Sequence, residues 1–211
     1  QTELAGGIAA MEKIRAIGLE PAGEDGTYYQ WWPIRRIRQS DASTVQVAGE
    51  SLTLWRDVVV AQAVDAVVDA PVVFVGRATD AELAGVDLTG KVVAALIVPP
   101  PNPPGRSVSL SSWRYTGAAV RAQSSRLMSK GAVAVVLVAD SMVESALDFY
   151  GAVAARGSYG LDTAGAPTRP RRSTPVLLVR QNLAQRLQAP GARLEATLTS
   201  ESFTYPSVNI I

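Results

Sequence analysis

The chain has 211 residues, 47% hydrophobic and 18% charged, with a formal net charge of +1. This length and composition fit one large domain, or one domain with part of another, and supply enough apolar surface for a core, which excludes a disordered chain. A net charge near zero removes the electrostatic case for nucleic acid or an anionic membrane as the main partner, and no run of about 18 apolar residues predicts a membrane span. The chain opens at Gln1 without a charged and then apolar leader, so a signal peptide is either already removed or not part of this sequence.

Neither Cys nor His occurs anywhere in the chain. Disulfide frameworks, thiol nucleophiles and thiolate metal sites are excluded, as are Ser-His-Asp and Cys-His activation and ordinary His/Cys zinc sites. The basic clusters Arg35-Arg36-Ile37-Arg38 and Arg169-Pro170-Arg171-Arg172 are short and far apart, and each is predicted to be a solvated edge or loop.

Residues 8–17 predict a helix with Ala10, Met11, Ile14 and Ile17 on one face and Gly18 in the left-handed cap. The turn formers of 19–26 follow as a loop. Tyr28–Ile37 predicts an extended segment that Pro33 confines to an edge or a bend. Of Trp31 and Trp32, one ring is expected to pack inward and the other to cover a domain seam, in preference to a carbohydrate platform. Thr44–Val47 and Ser51–Trp55 alternate around Ala48-Gly49-Glu50 as a hairpin, and Val58–Ala61 and Val64–Val68 add two short strands.

Two β-branched runs, Val72–Val75 and Val92–Val98, predict buried strands, and the connection between them holds a motif that has to be decided. Gly85 and Gly90-Lys91 spell G-x-x-x-x-G-K, the start of a phosphate-binding loop. Val92 stands where that loop needs a magnesium-binding Ser or Thr, and a strand rather than a helix follows, so no helix N-terminus faces the anion. The motif is predicted to be a turn feeding a buried strand.

Pro99–Gly105 predicts a stiff surface loop. Gly117–Lys130 predicts a helix capped by Gly131 and packing through Ala118, Ala119, Ala122 and Leu127. The apolar run Ala132–Ala139 predicts a strand buried on both faces. Met142, Ala146, Phe149 and Val153 recur at helical spacing and predict the core stripe of another helix. A loop over 158–172, a strand Pro175–Val179, a short helix Gln181–Gln188 and a strand Ala192–Ser200 complete the chain. The alternation from 92 to 199 predicts an α/β layer with partly parallel pairing, and 44–76 a second β layer.

Other candidates for chemistry fail on pattern. Asp162-Thr163-Ala164-Gly165 is near the Asp-Thr-Gly loop of aspartic proteases, but the third residue is Ala and no second copy supplies the partner carboxylate. Asp65, Asp69, Asp80, Glu82 and Asp87 lack calcium-loop spacing. Asp80 and Glu82 are expected to cap or charge the first turn of a short helix near Ala81. Ser129-Lys130 is adjacent rather than Ser-x-x-Lys.

The order of segments resembles a known family. Residues 8–30, IAAMEKIRAIGLEPAGEDGTYYQ, resemble the first helix and strand of secreted zinc aminopeptidases of the aminopeptidase Y type. Residues 57–98 resemble the start of the protease-associated (PA) domain inserted in that family, and Lys130–Val136 and Thr174–Val179 its later strands. Phe203–Ile211 resembles the strand that re-enters the peptidase domain. One departure is Gly76-Arg77-Ala78, where the family commonly has Gly-Tyr-Gly.

The resemblance implies an α/β, PA-like swivelling β/β/α fold with partly parallel core strands, plus an N-terminal helix from an incomplete peptidase domain. It divides the chain into a flank at 1–43, a PA-like domain at 44–202 and a return strand at 203–211. The family's two zinc ions are held by residues beyond the point matching Ile211, so no catalytic residue, cofactor or metal ligand is assigned to this chain. The implied function is a non-catalytic segment that shapes substrate access or mediates peptide or protein interaction. Its partners would be the peptidase domain of the parent chain and a peptide or protein substrate, in an extracellular or periplasmic bacterial setting. A free-standing binding module and a His-free enzyme of another type are the alternatives.

Contacts are expected on exposed loops, above all at Trp113-Arg114-Tyr115, where aromatic and guanidinium groups suit recognition. Packing of that loop onto the domain is the competing explanation. The helix at 8–17 is expected to make few contacts with the 57–200 core, leaving it exposed or covered by another chain.

Overall fold

The computed structural model describes residues 2–100, 111–163 and 174–210, with side chains from residue 7 onward. In chain order, the first half holds α1 (Thr2–Ala16), β1 (Tyr29–Gln39), β2 (Thr44–Val47), β3 (Glu50–Leu52), β4 (Val58–Val60), β5 (Ala66–Phe74), α2 (Asp80–Leu83) and β6 (Val92–Leu96). The second half holds α3 (Ser112–Met128), β7 (Ala134–Val138), α4 (Ser141–Arg156), β8 (Ser158–Leu161), β9 (Val176–Val179), α5 (Ala184–Leu187), β10 (Arg193–Leu198) and β11 (Ser200–Ile210). The chain forms two compact units, one of residues 2–36, 159–163 and 202–210, the other of 37–100, 111–158 and 174–201.

In the first unit, α1 ends as its sequence requires. Gly18 takes φ 79°, its N–H donates to Arg15 O, and the Leu19 N–H reaches Ile14 O at 3.3 Å. This pair of bonds is the Schellman closure, satisfying carbonyls the helix would otherwise leave open. The Tyr29 hydroxyl donates to Met11 Sδ at 3.1 Å and the Tyr28 hydroxyl to Leu19 O at 2.6 Å. Strands β11, β1 and β8 lie in that order in a three-stranded sheet. Strand β8 corrects the expected loop: Ser158-Tyr159-Gly160-Leu161 is exposed throughout, so no apolar alternation marks it. Trp31 and Trp32 are 48% and 36% exposed, so neither ring packs inward as expected.

The basic cluster on β1 is not a solvated edge either. Arg35 is paired with Asp162, and both side chains are mostly buried. Arg36 lies over the Tyr159 ring at 5.7 Å, and Arg38 holds Glu201 at 2.9 Å. The second basic cluster, 169–172, lies outside the described residues.

The second unit is α/β, built on an eight-stranded mixed sheet in the order β3-β2-β10-β5-β6-β7-β9-β4. The centre, β5-β6-β7-β9, is parallel, and the flanks are antiparallel. A bridge from Leu54 to Val58 brings the chain after β3 to β4, so the sheet is nearly closed on itself. Continuous apolar strands follow from this, because alternate residues enter two different cores. Val92, Ala94, Val136 and Val138 face one core with Val45, Leu177 and Leu194. Val93, Ala95, Val135 and Leu137 face the other, with Ala119, Val120, Leu127, Val143 and Leu147 of α3 and α4.

Two expected strands, Val64–Val68 and Val72–Val75, are one. β5 pairs with β10 up to Pro71 and with β6 from Val72 onward. The Val72 N–H donates toward β10, to Ala192 O at 2.8 Å. Backbone N–H groups alternate sides along a strand, so the Pro71 nitrogen faces the edge where β6 has not yet begun, and its missing donor costs no ladder bond. The β2–β3 hairpin forms as predicted, with Ala48 at φ 50° and Gly49 at φ 79°, the twist of a two-residue primed turn. Buried Gln39 donates to Ser43 Oγ and Thr199 O, both at 2.8 Å, and accepts the Val64 N–H at 3.0 Å, so it has a partner for each role.

Candidate functional site

Trp113, Arg114 and Tyr115 stand in the first turn of α3 rather than in a loop. The preceding stretch, 101–110, which holds most of the expected proline loop, lies outside the described residues. Tyr115 turns toward the domain: its hydroxyl donates to Asp140 Oδ2 at 2.6 Å. The other oxygen of Asp140 caps α4 by accepting the Val143 N–H at 2.8 Å. Burial, with the Asp140 carboxylate second, pushes the Tyr115 phenol well above its ordinary range, so it stays a donor. Tyr115 therefore ties the starts of α3 and α4 together. Trp113 is 48% exposed, and the Arg114 guanidinium lies 5.1 Å from its ring centre.

The helices are held on the sheet by their other faces. Gln123 of α3, buried, accepts the Val98 N–H at 3.1 Å and donates to Leu96 O at 2.9 Å, fixing α3 to the end of β6. Of the predicted packing residues, Ala119 and Leu127 are buried but Ala122 is exposed. On α4 the predicted core stripe is largely wrong in phase. Ala146 is buried, but Met142, Phe149 and Val153 are 42%, 58% and 46% exposed. The buried side is Val143, Ala146, Leu147 and Gly151.

The outward residues line a groove of about 660 Å³. Its wall from α3 carries Trp113, Arg114, Ala118 and Arg121, and its wall from α4 carries Phe149 and Val153. Among the described residues nothing acidic lines it. The carboxylates of α4 are engaged elsewhere: Glu144 binds Arg180 at 2.8 Å, and Asp148 is paired with the same guanidinium. Sequence reasoning pointed to Trp113 and Arg114 but missed Arg121, Phe149 and Val153. The signal available was that α4 has two interleaved apolar stripes, of which only one can face the sheet.

A second cleft, of about 970 Å³, lies beside β5 and is lined by Asp65, Val67, Asp69, Gly90 and Val133 among others. Its carboxylates are also engaged, Asp65 accepting the Ser200 N–H at 2.6 Å and Asp69 pairing with Arg193 at 2.5 Å. The Gly90-Lys91 turn behaves as expected. Lys91 Nζ donates to Asp87 O at 2.9 Å, Asp87 accepts the Thr89 N–H at 3.0 Å, and β6 follows. Thr79 and Glu82 form the capping box of α2. Asp162 receives Arg35 and the Thr204 hydroxyl, the latter at 2.8 Å, and Ala164 and Gly165 lie outside the described residues.

Among the described residues no three acidic side chains converge as a metal site, and the chain has no His or Cys, so the zinc pair implied by the resemblance finds no fitting donor set. No helix among the described residues is long and apolar enough to cross a membrane.

No family model and no curated protein matches the chain. Among solved structures it is similar to an aminopeptidase from Aneurinibacillus sp. strain AM-1, at 16% identity, covering 98% of this chain and 41% of that one, with a TM-score of 0.47. It is also similar to BSAP, a zinc aminopeptidase from Bacillus subtilis, at 12% identity, covering 97% and 40%, with a TM-score of 0.45. The chain thus spans about two fifths of the length of these structures.

Proposed function

We propose that the chain is a non-catalytic, PA-like segment of a secreted bacterial zinc aminopeptidase, and that it works by binding rather than by bond cleavage. In this reading 44–202 is the PA-like domain, 1–43 and 203–211 are flanks of the peptidase domain, and the two zinc ions belong to that domain. The observation that supports it best is α1. No side chain of residues 7–16 is buried; Ile8 within the helix is 45% exposed, and Ile17 and Leu19, just past its end, are 74% and 55% exposed. A helix and closing turn carrying that much open apolar surface fit a segment whose packing partner lies elsewhere. The resemblance in segment order supports a peptidase domain as that partner.

Two measurements test the reading. Purified 1–211 with added zinc is expected to show no turnover of aminoacyl p-nitroanilides; chelator-sensitive turnover would overturn the non-catalytic assignment. Sequencing the gene past the codon for Ile211 is expected to show an in-frame His-x-Asp and, later, Glu-Glu. A stop codon there would favour a free-standing binding module instead.

A further inference from the structure

We infer that the groove between α3 and α4 is a docking site for a peptide segment of another protein that presents an apolar side chain between two carboxylates. Three large apolar side chains, Trp113, Phe149 and Val153, each about half exposed, line one groove. Large apolar side chains gathered in this way on a surface mark an interaction site, whereas single ones do not.

Charge chooses the occupant. Arg114 and Arg121 line the same groove seven residues apart on α3, which at 1.5 Å rise per residue separates their backbones by about 10 Å. Neither makes an ion pair among the described residues. The acids that might have served them are committed elsewhere: Asp140 to Tyr115 and the α4 cap, Glu144 and Asp148 to Arg180. Arg114 lies over the Trp113 ring, so cation and aromatic face the groove side by side. Guanidinium groups match carboxylates two bonds at a time. Two of them about 10 Å apart along α3 ask for two carboxylates, which acidic side chains supply and a chain terminus alone does not. The groove thus has the cationic rim and aromatic anchor of a peptide-recognition surface.

The inference rests on the binding part of the proposed function and not on the peptidase identity. The test is selection of random phage-displayed dodecapeptides on the immobilised 1–211 chain. Enrichment of sequences with two Asp or Glu residues flanking Leu, Phe or Trp is expected. A synthetic peptide from that selection should bind R114E/R121E and F149A each about tenfold or more weakly, while circular dichroism and urea unfolding of both variants match the parent. Enrichment of peptides without acidic residues, no enrichment, or unchanged binding by the variants overturns it. So does a parent chain that sediments as a dimer and that R114E/R121E converts to a monomer, which would give the groove to a second copy. None of these outcomes alters the zinc assay or the gene sequence, so the groove and the aminopeptidase reading fail separately.

Discussion

Asp57 shows how one carboxylate can be charged to a local structure. It closes the turn between β3 and β4, accepting the Thr53 N–H at 2.9 Å and the Arg56 guanidinium at 3.0 and 3.1 Å. The Arg56 bonds are the main cause that its pKa is lowered to about 2. Its value in the unfolded chain is the ordinary carboxylate one, near 3.9. The folded state therefore takes up its proton later than the unfolded state, and the stability it contributes is full above about pH 4 and lost as pH falls toward 2. Asp57→Asn is expected to cost about 1–2 kcal/mol at pH 7, after allowance for solvent screening, and to cost progressively less between pH 4 and 2. Urea unfolding of both proteins across that range checks it; a cost independent of pH would mean the turn does not depend on the charge. A second residue is strained by its backbone. Ala78 is fully buried and sits at φ 56°, so an L-residue occupies a conformation that favours glycine.

At the scale of elements, α4 carries the clearest lesson. Val143 and Leu147 are completely buried and Phe149 is not, although Phe149 was the more conspicuous residue of the predicted stripe. Leu147→Ala is expected to destabilise the protein by about 2–5 kcal/mol, the cost of a buried leucine cavity, and Phe149→Ala by less than about 0.5. Equal losses in urea unfolding would place Phe149 in the core and remove the groove. The two-faced strands β6 and β7, the Ala48-Gly49 hairpin and the Gly18 cap were legible because each depends on local pattern or backbone chemistry. The Asp80 and Glu82 region was legible for the same reason, through its capping box. The rest was not, and for physical reasons. β8 buries nothing and so shows no alternation. Pro71 reads as a break unless the change of strand partner around it is known. The phase of α4 is set by which stripe meets the sheet, a tertiary choice between two similar patterns. The candidate site was half legible: Trp113 and Arg114 stood out by type, but Arg121, Phe149 and Val153 joined them only through the packing of α3 on α4.

Over the whole molecule, burial is distributed very unevenly between the two units. Among the described residues of the first, only Tyr28 is buried, whereas β7 of the second is completely buried between two parallel neighbours. Local opening is governed by buried apolar contact, so elements with little of it exchange their amide hydrogens through small fluctuations, and core strands only through global unfolding. Native-state hydrogen exchange on 1–211 is therefore expected to protect Ala134–Val138 about a thousandfold more than α1 or β8. In the proposed setting the first unit gains burial from a peptidase domain, because Ile8 and Ile17 are then covered. A chain extended to include that domain should raise protection in α1 while leaving β7 nearly unchanged. If α1 in 1–211 already exchanges as slowly as β7, its open apolar surface needs no outside partner, and the observation that best supports the proposed function is lost.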